Sequence, residues 1–182
     1  MSEDPLLWNG GGSNFYSYVA NNPVIRYDPS GRNIAVIGDI PSYAGARAYS
    51  GAAPGMALIL QSLSTSNSLV QINTNNDCRN NFDPATLTIN WDPTCIAYCD
   101  KGHCWATPAL LLGHELTHAF HYLNDKHGYD SRASTVVPDY DNAEEQLTIA
   151  GTENNAAIVL RECLRLSHHG RHGRSLSPTS ID

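Results

Sequence analysis

Basic side chains are scarce in this chain of 182 residues, and long apolar runs are absent from it. Eleven Lys and Arg residues face 18 Asp and Glu residues, which gives a formal charge of -7 at pH 7. Because phosphate binding needs a basic face, this balance disfavours nucleic acid as a main partner. No run of about 18 apolar residues occurs, so we expect no membrane span. The start, Met1–Asp4, is acidic and lacks the basic region of a signal peptide.

Cysteine is present in an odd number, which leaves at least one thiol outside any disulfide within the chain. The spacing of Cys95, Cys99 and Cys104, with His103 nearby, is not that of a zinc finger or ribbon. Three interpretations stay open: ordinary thiols, disulfides that order the loop before the next helix, and a second metal site. The five cysteines are Cys78, Cys95, Cys99, Cys104 and Cys163.

The most informative motif has the pattern His-Glu-x-x-His and comprises His114, Glu115 and His118. On a helix, residues four apart lie on one face, so both imidazoles can reach one metal ion. The glutamate that follows the first histidine can reach the attacking water as general base. The sequence therefore predicts a catalytic zinc site on this segment.

The residues around the motif favour a helix. Thr107 is a suitable N-cap, Pro108 suits the first helical position, and Asn124 is a plausible stop. Apolar residues recur at spacings of three and four and predict one buried stripe, while three histidines form a second stripe. The apolar stripe is Ala109, Leu112, Leu116, Ala119 and Leu123, and the histidines are His114, His118 and His121.

A catalytic zinc site needs a third protein ligand and an open position. A third histidine is missing, because Asn124 stands where the extended form of the motif would carry one. Glu144 and Glu145 lie downstream, near the start of a second predicted helix with Asp141 or Asn142 as its N-cap. These two acids point about a quarter-turn apart, so only one is expected to face the metal. The residues alone do not decide whether Glu144 or Glu145 is the third ligand.

Two segments resemble the NleD-type effector zinc peptidases and are similar to the catalytic light chains of clostridial neurotoxins. The first is Leu112–Ala119, with the sequence Leu-Gly-His-Glu-Leu-Thr-His-Ala, and the second is Glu144–Gly151, which begins Glu-Glu-Gln-Leu-Thr. The resemblance covers roughly residues 56–166. It implies an α+β, zincin-like metallopeptidase with a small mixed sheet and an active-site helix, and an intracellular protein as substrate. It also implies zinc as the cofactor, held by His114, His118 and Glu145.

The same resemblance assigns roles to further residues. Thr152–Asn154 and Arg161 match a Glu-Asn pair and a downstream arginine of the effector family. Arg161 is therefore expected to stabilise the oxyanion of the substrate. The residues after it depart from the family's pattern, so Arg165 stays open as the alternative. Glu153 is expected to be a solvated acid, and a position beside a ligand imidazole is its alternative.

The N-terminal segment carries a different resemblance. Asn14–Pro23 contains the pattern Asn-x-Tyr-x-Tyr-Val-x-Asn-x-Pro, and Asp28–Gly31 has the sequence Asp-Pro-Ser-Gly. These motifs resemble the end of an Rhs core, a large β-shell that a variable toxin domain follows. The resemblance implies that the Rhs part occupies residues 1–32 and that the metallopeptidase occupies residues 33–166. Residues 167–182 are polar and rich in Ser, Gly and Pro, so a disordered tail is expected there.

Short segments of the central part have clear periodicity. Residues 33–38, 69–73 and 86–91 are predicted strands, and residues 56–64 are a predicted helix. By analogy with peptidases that bind an extended substrate, we expect 86–91 to be the exposed edge strand. Strands and helices that occur in blocks favour an α+β fold over an alternating α/β fold.

The function expected from sequence is therefore a zinc endopeptidase that is secreted as part of a larger Rhs-type toxin. It would act in the target-cell cytoplasm on a protein substrate, with the Rhs shell as a second partner. The sequence leaves open whether an immunity protein binds it. The competing hypothesis is a non-catalytic domain with a structural zinc site, in which all four coordination positions are closed.

Overall fold

A computed structural model of the chain describes residues 26–27, 33–99 and 103–181. The Rhs-like motifs therefore lie outside the described residues. The strands are β1 (Arg26–Tyr27), β2 (Ile34–Ile37), β3 (Val70–Thr74), β4 (Asn81–Asp83), β5 (Thr88–Trp91), β6 (Cys95–Cys99), β7 (Cys104–Ala106), β8 (Val136–Val137), β9 (Asp141–Asn142) and β10 (Arg171–Arg174). The helices are α1 (Ile40–Ser50), α2 (Pro54–Thr65), α3 (Pro108–Asn124), α4 (Lys126–Ala133), α5 (Ala143–Leu147) and α6 (Asn154–Leu160), with a π-helical segment (Thr148–Glu153) between the last two.

The main sheet has five strands in the order β1-β2-β3-β5-β4. Strands β2, β3 and β5 run parallel, and β1 and β4 are antiparallel to their neighbours. The predicted strands and the predicted helix at 56–64 are confirmed as β2, β3, β5 and α2. The expected edge position of 86–91 is wrong, because β4 lies outside β5. Asn81–Asp83 was too short to be recognised from periodicity.

A second sheet has the order β10-β6-β7. Strand β10 pairs antiparallel with β6, with Arg171 opposite Tyr98 and Arg174 opposite Cys95. The expectation of a disordered tail is therefore wrong for residues 171–174. The reason is that the edge of β6 has backbone N–H and C=O groups that need partners. A polar segment can pair with them through its own backbone and needs no large apolar side chain.

Helix α3 forms the centre of the molecule. Thr107 caps it as predicted, because its Oγ1 accepts a hydrogen bond from the N–H of Leu110 at 3.2 Å. Every residue from Pro108 to Ala119 is buried, not only the predicted apolar stripe. The helix packs against α1, α2, the π-helical segment and three strands, so its histidine face is also covered by protein. Strand β7 ends one residue before the cap, which fixes the start of α3 at the sheet edge.

The segment after β9 directs three carboxylates and one hydroxyl toward the histidines of α3. These groups belong to Glu144, Glu145, Glu153 and Thr148. Asn142 caps α5 as one of the two predicted candidates, since its side chain accepts from the N–H groups of Glu144 and Glu145. In a continuous α-helix, Glu153 would lie about 80° around the axis from Glu145. The wider turns of the six-residue π segment reduce the rotation per residue and bring Glu153 back to the face of Glu145.

Two disulfides, Cys78–Cys95 and Cys104–Cys163, decide between the three cysteine interpretations. Cys99 keeps a buried thiol. Four of the five sulfurs are thus unavailable to a second metal site. The Cys104–Cys163 bridge joins the start of the segment that leads into α3 to the chain that leaves α6.

The fold is α+β, with small sheets beside a group of helices, as the sequence predicts. Within the part of the chain that the structure describes, no helix is long and apolar enough to cross a membrane.

Candidate metal centre

Three side chains predicted as zinc ligands converge on one point. Nε2 of His114 lies 2.9 Å from Nε2 of His118 and 2.9 Å from Oε2 of Glu145. Nε2 of His118 lies 3.3 Å from Oε2 of the same carboxylate. Donor atoms that share a tetrahedral zinc ion at ordinary bond lengths are about 3.3 Å apart. The three donors therefore form a triangle of the size that one such ion requires.

Glu144, the alternative third ligand, faces away from this triangle. Its Oε1 meets Nδ1 of His121 at 2.6 Å and Nδ1 of His118 at 3.2 Å, and its Oε2 accepts from Nε of Arg132 at 2.6 Å. The carboxylate is thus behind an imidazole rather than in front of it. The geometry favours Glu145 as the donor and makes Glu144 the residue that orients His118.

Glu153 has the equivalent position behind the other imidazole. Its Oε2 lies 2.6 Å from Nδ1 of His114, and its side chain is fully buried. The expectation of a solvated acid is therefore wrong, and the alternative is correct. Both histidines of the motif have Nδ1 on a carboxylate and Nε2 toward the common point, which is the usual arrangement of metal-bound histidine.

Arg165, not Arg161, is the arginine beside this site. Its NH1 lies 3.1 Å from Oε2 of Glu153, and Asn154 holds its backbone through hydrogen bonds of 2.8 and 3.0 Å. Arg161 ends α6 in the left-handed conformation, with a φ of 59°, and its side chain is exposed in a different cleft beside Trp105. Arg161, the residue expected at the oxyanion, lies away from the donor triangle, because α6 ends there and the chain returns to the site only at Arg165.

His168 and Asp141 lie at the site, although the sequence analysis placed them in a disordered tail and at a helix cap. Nδ1 of His168 lies 2.5 Å from Oδ2 of Asp141, and its Nε2 lies 3.6 Å from Oε2 of Glu145. The donor atoms of His114, Glu145 and His168 all lie within 4.8 Å of one another, so these residues form a possible metal-binding group. His168 belongs to residues 167–182, for which the sequence predicts a disordered tail. Its neighbours His169 and His172 make a short histidine-rich tract, which was the available signal.

The electrostatics of the site suit a cation. Burial lowers the pKa of His118, but its hydrogen bonds to Glu144 and Glu145 outweigh this and raise the pKa to about 10. The pKa of His114 is raised as well, since its contacts with Glu145 and Glu153 overcome the effect of burial. Burial opposes ionisation of the three carboxylates, yet contacts with the imidazoles and arginines hold each pKa below its ordinary value. Several buried negative groups thus surround the triangle.

Glu115 occupies a different environment from the other acids. It is buried, and burial raises the pKa of its carboxyl above the ordinary value against the opposing effect of His114 and His118. It lines a cleft of about 400 Å³ together with His114, Arg165 and His168. A carboxyl with a raised pKa at the wall of a cleft is suited to accept and return a proton.

Comparison with known proteins adds no assignment. No model of a protein family, no curated protein sequence and no solved structure matches the chain. The argument for function therefore depends on the residues of this site.

Proposed function

We propose that the chain is a zinc-dependent endopeptidase and the toxin domain of an Rhs-type secreted protein. The observation that carries this proposal is the convergence of His114, His118 and Glu145 within 3.3 Å, with Glu115 on the wall of the adjoining cleft. A purely structural arrangement has no need for an acid with a raised pKa beside the donors. The coarser statement, a possible metal-binding group in an α+β fold, does not depend on the choice of metal.

Zinc is the metal that fits these donors best. Two imidazole nitrogens and one carboxylate oxygen form the donor set of many zinc peptidases, whereas Mg²⁺ and Ca²⁺ prefer oxygen alone. When bound, zinc polarises the carbonyl group of the substrate and lowers the pKa of a water molecule. Glu144 and Glu153, behind the imidazoles, would keep Nε2 of each ring available to hold the ion.

Two residues of the cleft have separate roles in peptide hydrolysis. Glu115 takes the proton of the attacking water and passes it to the leaving amine. Arg165 provides the positive charge that the sequence analysis assigned to Arg161, although Glu153 shares that charge. The cleft reaches Asn80 and Cys78, next to the first residue of β4.

Strand β4 offers a place for an extended peptide. Among the described residues no strand pairs with its outer side, so the backbone groups of Asn81–Asp83 are available for strand addition. Helix α3 packs directly against β4 and carries two of the three donors. Asn80, the residue before β4, lines the same cleft as Glu115, so a peptide on this edge could extend into that cleft. Two disulfides support passage through an oxidising compartment, as a secreted toxin requires.

The first experiment compares Glu115→Gln with the wild-type chain. Zinc content is measured by emission spectroscopy, and new protein N-termini are identified in lysates of bacterial and eukaryotic cells. We expect equal zinc in both proteins and a small set of cleavage sites with the wild type alone. Asp130→Asn, an exposed acid on α4, is the control and should cleave like the wild type. Equal cleavage by Glu115→Gln and the wild type would disprove the mechanism.

The ligand assignment has its own test. Glu145→Ala should lose most of its zinc, because it removes a donor. Glu144→Ala should keep zinc with an affinity about 10–100-fold lower, because it removes only a carboxylate behind an imidazole. Dissociation constants come from competition with a chromophoric chelator. The opposite order of the two affinities would exchange the roles of the two acids.

One observation favours a second candidate function, a domain with a structural zinc ion. Nε2 of His168 is near enough to the triangle to serve as a fourth donor. A site with four protein donors is closed and has no position for a substrate. This alternative predicts that zinc removal unfolds the chain and that no variant cleaves protein.

A further inference from the structure

Three imidazoles at the site share one arrangement. Nδ1 of His114 meets Glu153 at 2.6 Å, and Nδ1 of His118 meets Glu144 at 3.2 Å. Nδ1 of the third, His168, meets Asp141 at 2.5 Å. A proton on Nδ1 that is donated to a carboxylate leaves the lone pair of a neutral ring on Nε2. The carboxylate at Nδ1 thus prepares all three rings to coordinate through Nε2.

His168 also places a donor atom beside two of the three donors, those of His114 and Glu145. Its Nε2 is 3.6 Å from Oε2 of Glu145, close to the spacing of about 3.3 Å between donors in a tetrahedral zinc site. Its ring stacks on the ring of His114, with centroids 6.0 Å apart and planes inclined by 14°. His168 is therefore near enough to supply a further ligand to the same ion.

His168 differs from the other donors in the part of the chain that carries it. His114 and His118 have side chains that are 3% and 5% exposed, on the central helix of the core. The side chain of His168 is 36% exposed. It lies on a segment that follows Arg165, lines the cleft and includes β10, which we call the strap (residues 167–174).

The strap is held by hydrogen bonds at both ends. Arg174 donates to Asp92 and Thr94 at 2.5 and 2.8 Å, and β10 pairs with β6. Near the site, the N–H of His168 donates to the carbonyl of Asp139 at 2.9 Å, and Nε2 of His169 lies 3.0 Å from the carbonyl oxygen of Pro138. NH2 of Arg165 donates to the carbonyl of His168 at 3.5 Å. None of these partners lies on α3, so displacement of the strap breaks no hydrogen bond to that helix.

We propose that His168 is a displaceable fourth metal ligand, and that the strap keeps the site latent until it is moved. The ligand role stands by itself, while the latency rests on the proposed endopeptidase. A structural fourth ligand would be buried like His114 and His118, because its loss would unfold the core. An exposed donor on the strap is instead placed to exchange with a substrate.

The test uses the full chain loaded with Co²⁺, whose visible spectrum reports coordination, and azide as a small probe for an open position. Three variants are compared with the wild type. His168→Ala removes the donor, Arg174→Ala loosens the strap and keeps all donors, and His127→Ala changes an exposed histidine on α4. We expect azide to alter the spectra of His168→Ala and Arg174→Ala only. Zinc affinity should fall at least 10-fold in His168→Ala and stay unchanged in His127→Ala.

One combination of results would overturn the proposal. If azide alters the wild-type spectrum as readily as that of His168→Ala, and both bind zinc equally, His168 is not a ligand. Circular dichroism shows whether each variant is folded. If His168→Ala does not fold, the effect of azide on the Co²⁺ spectrum of Arg174→Ala still tests the proposal, because this variant leaves every donor in place.

Cleavage of casein separates this proposal from the proposed function. Faster cleavage by zinc-loaded Arg174→Ala than by the wild type supports latency, and slower cleavage refutes it. If the spectra change as expected but no variant cleaves casein or lysate proteins, the fourth ligand is upheld and the endopeptidase is rejected. If the wild type cleaves with full dependence on Glu115 and binds azide, the endopeptidase is upheld and the latent site is rejected.

Discussion

Breaking the buried ion pair between Glu153 and Arg165 should lower stability, and a double-mutant cycle measures how strongly the two side chains are coupled. The two side chains are 0% and 8% exposed, and NH1 lies 3.1 Å from Oε2. Removal of Glu153 leaves the buried charge of Arg165 without compensation, which costs about 3–5 kcal/mol, whereas removal of Arg165 leaves Glu153 with His114 as a partner. We therefore expect Glu153→Gln to lower the free energy of unfolding by about that amount and Arg165→Met to lower it by less. In the glutamine variant, Nδ1 of His114 can still donate to the side-chain oxygen.

The double variant should be much more stable than the sum of the two changes predicts. With both charges gone, no uncompensated charge stays buried, so we expect a coupling energy of about 2 kcal/mol or more. Urea denaturation at pH 7 with a chelator present gives the four free energies of unfolding without a contribution from metal. Additivity within about 0.5 kcal/mol would refute the reasoning.

An exposed pair provides the matched control for this cycle. Lys126 and Asp130 are four residues apart on α4, and their side chains are 61% and 54% exposed. Their nitrogen–oxygen distance of 2.6 Å is shorter than that of the buried pair, yet water screens the attraction. The cycle on Lys126→Met and Asp130→Asn should give a much smaller coupling than the cycle on the buried pair. A large coupling here would show that distance, rather than burial, decides the result.

Three further predictions concern the supports of the site. Thr107→Ala removes the cap of α3 and should lower the free energy of unfolding by about 1 kcal/mol, measured by urea denaturation. Selective reduction of the Cys104–Cys163 bridge opens a loop with a sequence separation of 59 and should cost about 4 kcal/mol, while thiol titration of the unfolded chain rises from one group to three. Burial favours the neutral form of Asp92, but hydrogen bonds from backbone N–H groups and Arg174 lower its pKa below 3.8. Its contribution is therefore fully present above that pH and is lost as the pH falls further, so the stability difference between the wild type and Asp92→Asn should shrink between pH 6 and pH 2.

Local patterns in the sequence were sufficient for the elements that carry the metal motif. The cap Thr107, the helix that follows it and the cap Asn142 are each decided by residues within about four positions. The three central strands were recognisable because they alternate over several residues. The donor triangle was expected from one motif and one resemblance, and the structure brings the side chains of His114, His118 and Glu145 together.

Local sequence patterns do not predict contacts between residues that are far apart in the chain. The choice of Glu145 over Glu144 depends on the direction in which α5 begins, and Glu153 reaches the site only through a π-helical segment. Arg161 was preferred to Arg165 because it fits a sequence pattern, but a left-handed residue ends the helix before the chain returns. Composition suggested a disordered tail, since polar residues cannot form a core, yet pairing with β6 requires only backbone groups.

The third histidine decides which of the two candidate functions this fold can perform. His168 presents Nε2 to the donor triangle, as a closed structural site would require. Its exposure and its place on the strap are what a removable ligand would require instead. The two cases differ in the consequence of its loss, because a structural ligand stabilises the fold and a removable ligand restrains the cleft. If His168→Ala keeps the stability of the wild type and opens the metal to azide, a structural role for this histidine is no longer tenable.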